Sequence, residues 1–203
     1  MRLTDAYGDL RRLNRPVLTT EEAATRWKAG RRTTSHRLKT MEEGGLVRRL
    51  RPGMWALDPD IGPFAVAPFL TAPHPAYVSF WSALAHHGLI EQIPRRVSVA
   101  SLSPPRRIET AIGSFDVHQI APALFGGYEG NERRGYVAGP AKALFDTVYV
   151  RTAAGGMAYF TELHLPRDFD RGEIRYWIER IESPRLRTLV SRRVRDALGN
   201  AGG

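Results

Sequence analysis

The chain has 203 residues, contains no cysteine and carries a formal net charge of +9 at pH 7. This length allows one or two domains. The lack of cysteine excludes a disulfide framework, thiolate metal ligands and a cysteine nucleophile. No apolar run approaches the roughly 20 residues that span a bilayer, and the amino-terminal residues do not resemble a secretion signal, so we expect a cytoplasmic protein without a membrane partner.

The positive charge is concentrated at the start of the chain. Residues 1–57 contain 13 Lys and Arg against 6 Asp and Glu, a net charge of +7, whereas residues 58–203 contain 17 against 15, a net charge of +2. An excess of cations in one segment is typical of a nucleic-acid-binding unit. Because 27 of the basic residues are arginine, the codon bias of a GC-rich genome explains any single one, and only their clustering indicates function.

Two helices are predicted in the first thirty residues. Apolar residues at helical spacing predict a first helix over 3–14, which ends before Pro16. The sequence Thr-Thr-Glu-Glu at 19–22 predicts a capping box, in which Thr19 and Glu22 satisfy each other's backbone N–H groups. A second, short helix over 21–28 follows from it.

A third helix and a β-hairpin complete residues 1–57. We expect a turn at Ala29-Gly30, with a positive φ at the glycine, and Thr33 or Thr34 as the cap of a helix that ends at residues 44–45. Short strands over 46–50 and 54–57 flank a Pro-Gly turn. Three helices followed by a hairpin are typical of a winged helix-turn-helix, in which the hairpin is the wing.

The rest of the chain predicts a connector and a second domain. Residues 58–76 contain five prolines and are expected to form a stiff, mostly extended connector. Residues 77–203 are expected to form a mixed α/β domain, so that the fold class is α+β. Its predicted helices cover 77–87, 140–150, 171–181 and 184–198, and its predicted strands cover 97–101, 107–111, 114–120 and 135–138.

The third helix is the candidate recognition helix, because the major groove admits one α-helix. At 100° per residue Leu38 and Met41 fall on its inward side with Thr34 near them, and the opposite side collects hydrogen-bond donors. RNA binding and purely protein contact are the alternatives to double-stranded DNA. The candidate DNA-binding residues are Arg31, Arg32, Thr34, Ser35, His36, Arg37, Lys39 and Thr40 on the helix, and Arg48, Arg49 and Arg51 on the wing.

Three segments resemble a known family. They are residues 38–49 with 52–55, residues 77–89 (YVSFWSALAHHGL), and residues 136–146 (YVAGPAKALFD). The second segment matches a serine–alanine–leucine helix with a histidine–glycine–leucine end, and the third matches an A-x-P-x-K-A-L-x-D stretch. In this order they resemble the AbiEi-type antitoxins, the regulators of bacterial type IV toxin–antitoxin systems.

The resemblance implies a repressor that binds inverted repeats in its own promoter. It also implies a carboxy-terminal domain that opposes a co-encoded, nucleotidyltransferase-like toxin without a tight direct complex. The chain is short for the family and matches it poorly beyond Tyr149. A solitary regulator of the same architecture is therefore the alternative.

A metal-dependent nuclease is the enzymatic alternative. Glu109 and Asp116 lie on adjacent predicted strands, and such a site would also need a lysine. Lys142 and Asp146 are four residues apart on one helix, a spacing that favours an ion pair holding this helix against the sheet. We find no phosphate-binding loop, nucleophile elbow or His-Glu-x-x-His. We therefore expect a protein that is not an enzyme and that has no cofactor and no metal site.

Overall fold

A computed structural model gives a mixed α+β fold with 44% helix and 19% strand. It describes residues 2–160 and 162–200. Within these residues, no helix combines the length and the apolar character needed to cross a membrane.

The amino-terminal unit contains three helices and a three-stranded antiparallel sheet. The sheet order is β1-β3-β2, so that the predicted hairpin β2–β3 gains a third strand along β3. Strand β1 is not apparent in the sequence, because a run of three residues carries no measurable alternation. The elements are α1 (Leu3–Arg11), β1 (Val17–Thr19), α2 (Thr20–Trp27), α3 (Arg31–Glu43), β2 (Arg48–Arg51) and β3 (Met54–Ala56).

The two helix starts in this unit differ. The capping box is confirmed, since the Glu22 backbone N–H donates to Thr19 Oγ1 and the Thr19 N–H donates to Glu22 Oε2. The predicted cap of α3 is wrong: the N-cap is Gly30, with φ −64°. The left-handed residue of the turn is Lys28, with φ 48°, because it ends α2 as its C-cap.

The rest of the chain is built on a six-stranded sheet of order β6-β7-β5-β4-β9-β8. The predicted hairpin β6–β7 is confirmed, and β5 pairs in parallel with β7. The strands are β4 (Ala76–Val78), β5 (Val97–Ser101), β6 (Arg106–Thr110), β7 (Gly113–Gln119), β8 (Tyr128–Asn131) and β9 (Gly135–Ala138), and the helices are α4 (Pro63–Leu70), α5 (Phe80–His86), α6 (Pro140–Ala153), α7 (Arg171–Glu179) and α8 (Pro184–Asn200), with a short 3₁₀ turn at Pro122–Leu124.

The expectation of an extended connector over 58–76 is wrong for its middle part, which is helix α4. Pro63 occupies the first helical turn, where its missing N–H costs nothing. Pro68 removes one intrahelical bond, yet Ala65, Val66 and Leu70 are buried. Burial of these apolar groups offsets the proline.

The predicted helix over 77–87 begins later than expected. Tyr77 and Val78 belong to β4, a central strand that pairs with β5 on one side and β9 on the other. Ser79 is the N-cap of α5, but its hydroxyl donates to Asp146 and not to the helix. Tertiary pairing therefore overrides the helical pattern of the first two residues.

The small sheet packs on both of its faces. Leu18 and Trp55 join the core that α1, α2 and α3 form on one face. On the other face, Val17 and Ala56 share a core with α4 and with β7 residues such as Phe115. Because α3 packs on one face only, its opposite side is left to solvent.

Candidate nucleic-acid interface

Helix α3 separates a buried stripe from an exposed one, as its sequence predicts. Leu38 and Met41 are fully buried in the amino-terminal core. The exposed residues include Arg32, His36 and Lys39. No acidic residue occurs between Glu22 and Glu42, so this stripe offers hydrogen-bond donors without a competing carboxylate along most of its length.

Thr34 does not belong to the exposed stripe. It is 0% exposed and packs with the inward residues of α3, and its hydroxyl has no hydrogen-bond partner within the described part of the chain. Its assignment as a DNA-contacting residue is corrected accordingly. Thr34 precedes Leu38 by four residues and Met41 by seven, so at 100° per residue all three side chains lie within about 60° of one another on the inward side of α3.

The remaining candidates on α3 are held only loosely by the protein. The Arg31 guanidinium nitrogen Nη2 lies 3.1 Å from Glu21 Oε1, and Lys39 Nζ lies 3.9 Å from Glu43 Oε1. All four side chains are exposed. Pairs of this kind contribute little and exchange readily for a phosphate. The Thr40 hydroxyl donates to the carbonyl of His36, one turn earlier.

Arg37 is half-buried and has a different environment. Its guanidinium lies 4.9 Å from the ring centroid of Trp27, a cation–π contact that joins α3 to the end of α2. Arg37 therefore stabilises the angle between the two helices and presents only part of its side chain to solvent.

The two adjacent arginines of β2, Arg48 and Arg49, face opposite ways. Arg49 pairs in register with Trp55, and its guanidinium lies 5.7 Å from that ring on the side of the helical core. Its backbone N–H donates to Glu42 Oε1 at 2.8 Å, which ties β2 to the end of α3. Arg49 therefore lies on the same side of the sheet as α3.

Arg48 faces the carboxy-terminal part of the chain. It pairs with Ala56, and its guanidinium donates to the carbonyls of Pro59 and Ala111 at 3.3 and 3.2 Å. The Ala111 N–H donates in turn to the Leu50 carbonyl. The structure thus places Arg48 at the junction between the β2–β3 hairpin and the β6–β7 turn, away from the exposed side of α3. Arg51 is half-buried beside the turn of the hairpin.

Two further exposed residues lie close to the predicted set. Lys28 ends α2, and Thr33 lies in the first turn of α3 beside Arg32. Both residues lie in the run 23–41, which contains no acidic residue, and this run is the sequence signal that could have identified them. With Arg31, Arg32, Ser35, His36, Arg37, Lys39, Thr40 and Arg49, they form what we call the α3 surface.

The residues of the nuclease alternative do not converge. Asp116 accepts hydrogen bonds from Arg96 and Arg107, both at 3.1 Å. Burial favours a higher pKa for Asp116, but these two arginines outweigh it and hold the pKa below its usual range. Glu109 accepts a short hydrogen bond from Ser114, and Lys142 is engaged elsewhere.

Lys142 and Asp146 form a fully buried ion pair. Their charged atoms lie 2.5 Å apart, and both side chains are 0% exposed. Burial lowers the pKa of Lys142 and raises that of Asp146, and the charge of each partner opposes the other's shift. Asp146 also accepts from Tyr77 and Ser79, so that the pair joins α6 to β4.

Aromatic rings and backbone complete this cluster. The Lys142 ammonium donates to the Leu124 carbonyl at 2.7 Å and lies 4.2 Å from the ring centroid of Trp177 on α7. The expected helix-to-sheet contact is therefore present. It places Lys142 and Asp146 of the third resemblance segment, with Tyr77 and Ser79 of the second, in the core and not in an open site.

Comparisons with known proteins do not assign the chain to a family. No model of a known family matches it, and no curated protein is significantly similar to it. Its functional interpretation therefore rests on the geometry of the α3 surface and on the motifs in its sequence.

Proposed function

We propose that this protein is a sequence-specific DNA-binding transcriptional repressor, with its amino-terminal unit acting as a winged helix-turn-helix. The order of three helices and a three-stranded sheet supports this assignment. In such a domain α3 enters the major groove and the β2–β3 hairpin contacts the flanking backbone.

One observation carries the proposal: the α3 surface is mostly exposed and cationic, with acidic residues such as Glu21 and Glu43 only at its edges, while the inward side of the same helix is anchored in a core. The anchored side supplies the rigidity that base readout requires. Arginine, serine, histidine and lysine side chains supply donors for the acceptor-rich edges of guanine and adenine. A solvated surface of ordinary function would be expected to mix both signs of charge.

Phosphate contacts would make binding strongly salt-dependent. Apart from Lys28, the α3 surface contains five cationic side chains, which are Arg31, Arg32, Arg37, Lys39 and Arg49. If each neutralises one phosphate, the logarithm of the association constant falls with the logarithm of salt concentration at a slope of roughly −4.5 per bound chain.

The test is fluorescence anisotropy with a labelled duplex from the region upstream of the protein's own gene, compared with a shuffled duplex of equal composition. We expect tighter binding to the native duplex than to the shuffled one. Lys39→Ala should bind the native duplex more weakly, and its association constant should depend on salt concentration with a logarithmic slope about one unit less steep. Arg167→Ala is the matched control, because Arg167 is exposed and lies outside the α3 surface. Equal affinity for both duplexes, or equal loss in both variants, would refute specific DNA binding.

The antitoxin role is a further part of the proposal and rests on the sequence resemblance. The protein would repress its own operon through inverted repeats and counter a nucleotidyltransferase-like toxin through its carboxy-terminal part. Co-expression with the product of the neighbouring gene tests it. Lys39→Ala should lose promoter repression and keep growth rescue, whereas failure of the unaltered protein to rescue growth would leave a solitary regulator.

A further inference from the structure

Three potential metal ligands from separate parts of the chain meet on the surface. The ligand atoms of Glu91, Glu162 and His164 all lie within 4.8 Å of one another. His164 Nε2 is 3.9 Å from Glu91 Oε1 and 3.9 Å from Glu162 Oε2. The cluster is invisible in the sequence, because Glu91 follows α5 and the other two residues precede α7.

The backbone holds these side chains together. The His164 N–H donates to the Leu89 carbonyl at 2.8 Å. Leu89 is fully buried, and Leu163 is 6% exposed. With Leu163 turned into the core, its two neighbours Glu162 and His164 are turned outward, towards Glu91.

The two carboxylates lack the arginine partners that Asp9 and Asp116 have. Asp9 and Asp116 each pair with two arginines. Within the described ranges, no lysine or arginine nitrogen lies within 4.0 Å of the Glu91 or Glu162 carboxylate, and the sole basic side chain at that distance is His164. The site therefore has room for an additional positive charge.

A cavity adjoins the cluster. It has a volume of about 720 Å³ and is lined by Glu91, Glu162, Trp81 and Ser98 among others. Ser98 is 7% exposed, and its backbone N–H donates to the Ser82 hydroxyl at 2.8 Å, which joins β5 to α5 at the wall of the cavity. The cavity therefore borders two of the three candidate ligands, Glu91 and Glu162.

We propose that Glu91, Glu162 and His164 bind a divalent transition-metal ion, for which Zn²⁺ is the probe. One imidazole and two carboxylates form a ligand set that Zn²⁺ accepts, and Zn–N and Zn–O bonds of about 2.0 Å place tetrahedral ligands about 3.3 Å apart. The two distances of 3.9 Å from His164, and a separation of the two carboxylates within 4.8 Å, need only side-chain rotations of exposed residues to reach this spacing. Three protein ligands leave a coordination position open towards the cavity.

Calorimetric titration of the full-length, untagged, metal-free protein with ZnCl₂ tests the site. We expect one ion per chain, and a rise in the unfolding temperature on saturation, because the ion joins the segment after α5 to the segment before α7. His164→Ala and Glu91→Gln should each weaken binding by at least the roughly 10–100-fold that loss of a ligand-orienting partner costs.

The control variants carry the same two types of substitution at exposed residues outside the cluster. His74→Ala and Glu132→Gln change an exposed histidine and an exposed glutamate elsewhere, and both should bind Zn²⁺ as the unaltered chain does. All four variants should unfold at the same temperature without metal. The proposal is overturned if the unaltered protein binds no Zn²⁺ at 0.1 mM (about 5 kcal/mol of binding free energy), if the two ligand variants bind normally, or if Mg²⁺ and Ca²⁺ bind as tightly as Zn²⁺.

Discussion

The two units of the molecule use the same ion-pair spacing for opposite purposes. Lys39 and Glu43 on α3, and Lys142 and Asp146 on α6, are both four residues apart. The first pair is 3.9 Å apart with side chains 70% and 64% exposed, and the second is 2.5 Å apart and fully buried. The exposed lysine is available to a partner, whereas the buried one is committed to the fold.

Environment accounts for this difference, because the spacing is identical. On α3 the surrounding side chains are polar and hydrated, so the pair is weak and Lys39 can exchange Glu43 for a phosphate. On α6 the pair is surrounded by Tyr77, Phe145 and Trp177. There each charge needs the other, since an unpaired buried charge is costly.

The largest expected effect comes from making the same substitution in both units. Lys142→Met leaves Asp146 buried without its cation and should lower the free energy of unfolding by about 3–5 kcal/mol. Lys39→Met should change it by less than about 0.5 kcal/mol. Urea denaturation measures both, and similar values for the two variants would contradict the contrast between the units.

A smaller effect is expected from tightening the packing around Lys142. A Cβ on Gly127 would lie 2.8 Å from Trp177 Cζ2 and 2.9 Å from Lys142 Cγ, whereas one on Gly155 would meet nothing within 4 Å. Both glycines have positive φ, 69° and 76°, so the comparison isolates the clash. Gly127→Ala should cost about 1–3 kcal/mol more than Gly155→Ala, as measured by thermal or urea unfolding.

The adjacent arginines of β2 sharpen the comparison at the junction of the units. Arg49→Ala should weaken DNA binding by about 1 kcal/mol, roughly fivefold, through loss of a phosphate contact. Arg48→Ala should leave the Kd unchanged, because its guanidinium is bound to the carbonyls of Pro59 and Ala111. Anisotropy titrations at one salt concentration decide this, and the opposite ranking would move the DNA-binding face to the other side of the wing.

The smallest effect concerns the acidic partner on α3. Glu43→Gln should change stability by less than about 0.5 kcal/mol, because the pair with Lys39 is exposed. The same variant should bind DNA slightly more tightly at low salt, since a carboxylate is removed from the end of the α3 surface. A loss of affinity in this variant would indicate that Glu43 itself contacts the DNA.

Local signals in the chain predicted much of the amino-terminal unit. The capping box at Thr19 and Glu22, the inward spacing of Leu38 and Met41, and the hairpin across Pro52-Gly53 depend on residues a few positions apart. The exposed, acid-free stripe of α3 follows from the same helical spacing. Such features are decided within one element, and periodicity reveals them.

Other features depend on partners far apart in the chain. Residues 63–70 form a helix because two sheets bury it, and Tyr77 joins a strand because β5 and β9 flank it. Thr34 and Arg48 were expected to contact DNA, yet one is buried and the other bonds to the β6–β7 turn. Sequence spacing contains no information on which face a distant segment covers.

The sequence by itself determined where the positive charge lies, the helical order of the first fifty residues and the spacing of both lysine–carboxylate pairs, since each is a property of neighbouring residues. Only the tertiary structure decided that Lys142 is enclosed while Lys39 is free to solvent, that Arg49 and not Arg48 accompanies α3, and that Glu91 meets His164. The physical reason is that burial and proximity are set by packing between elements, and packing depends on the whole chain at once.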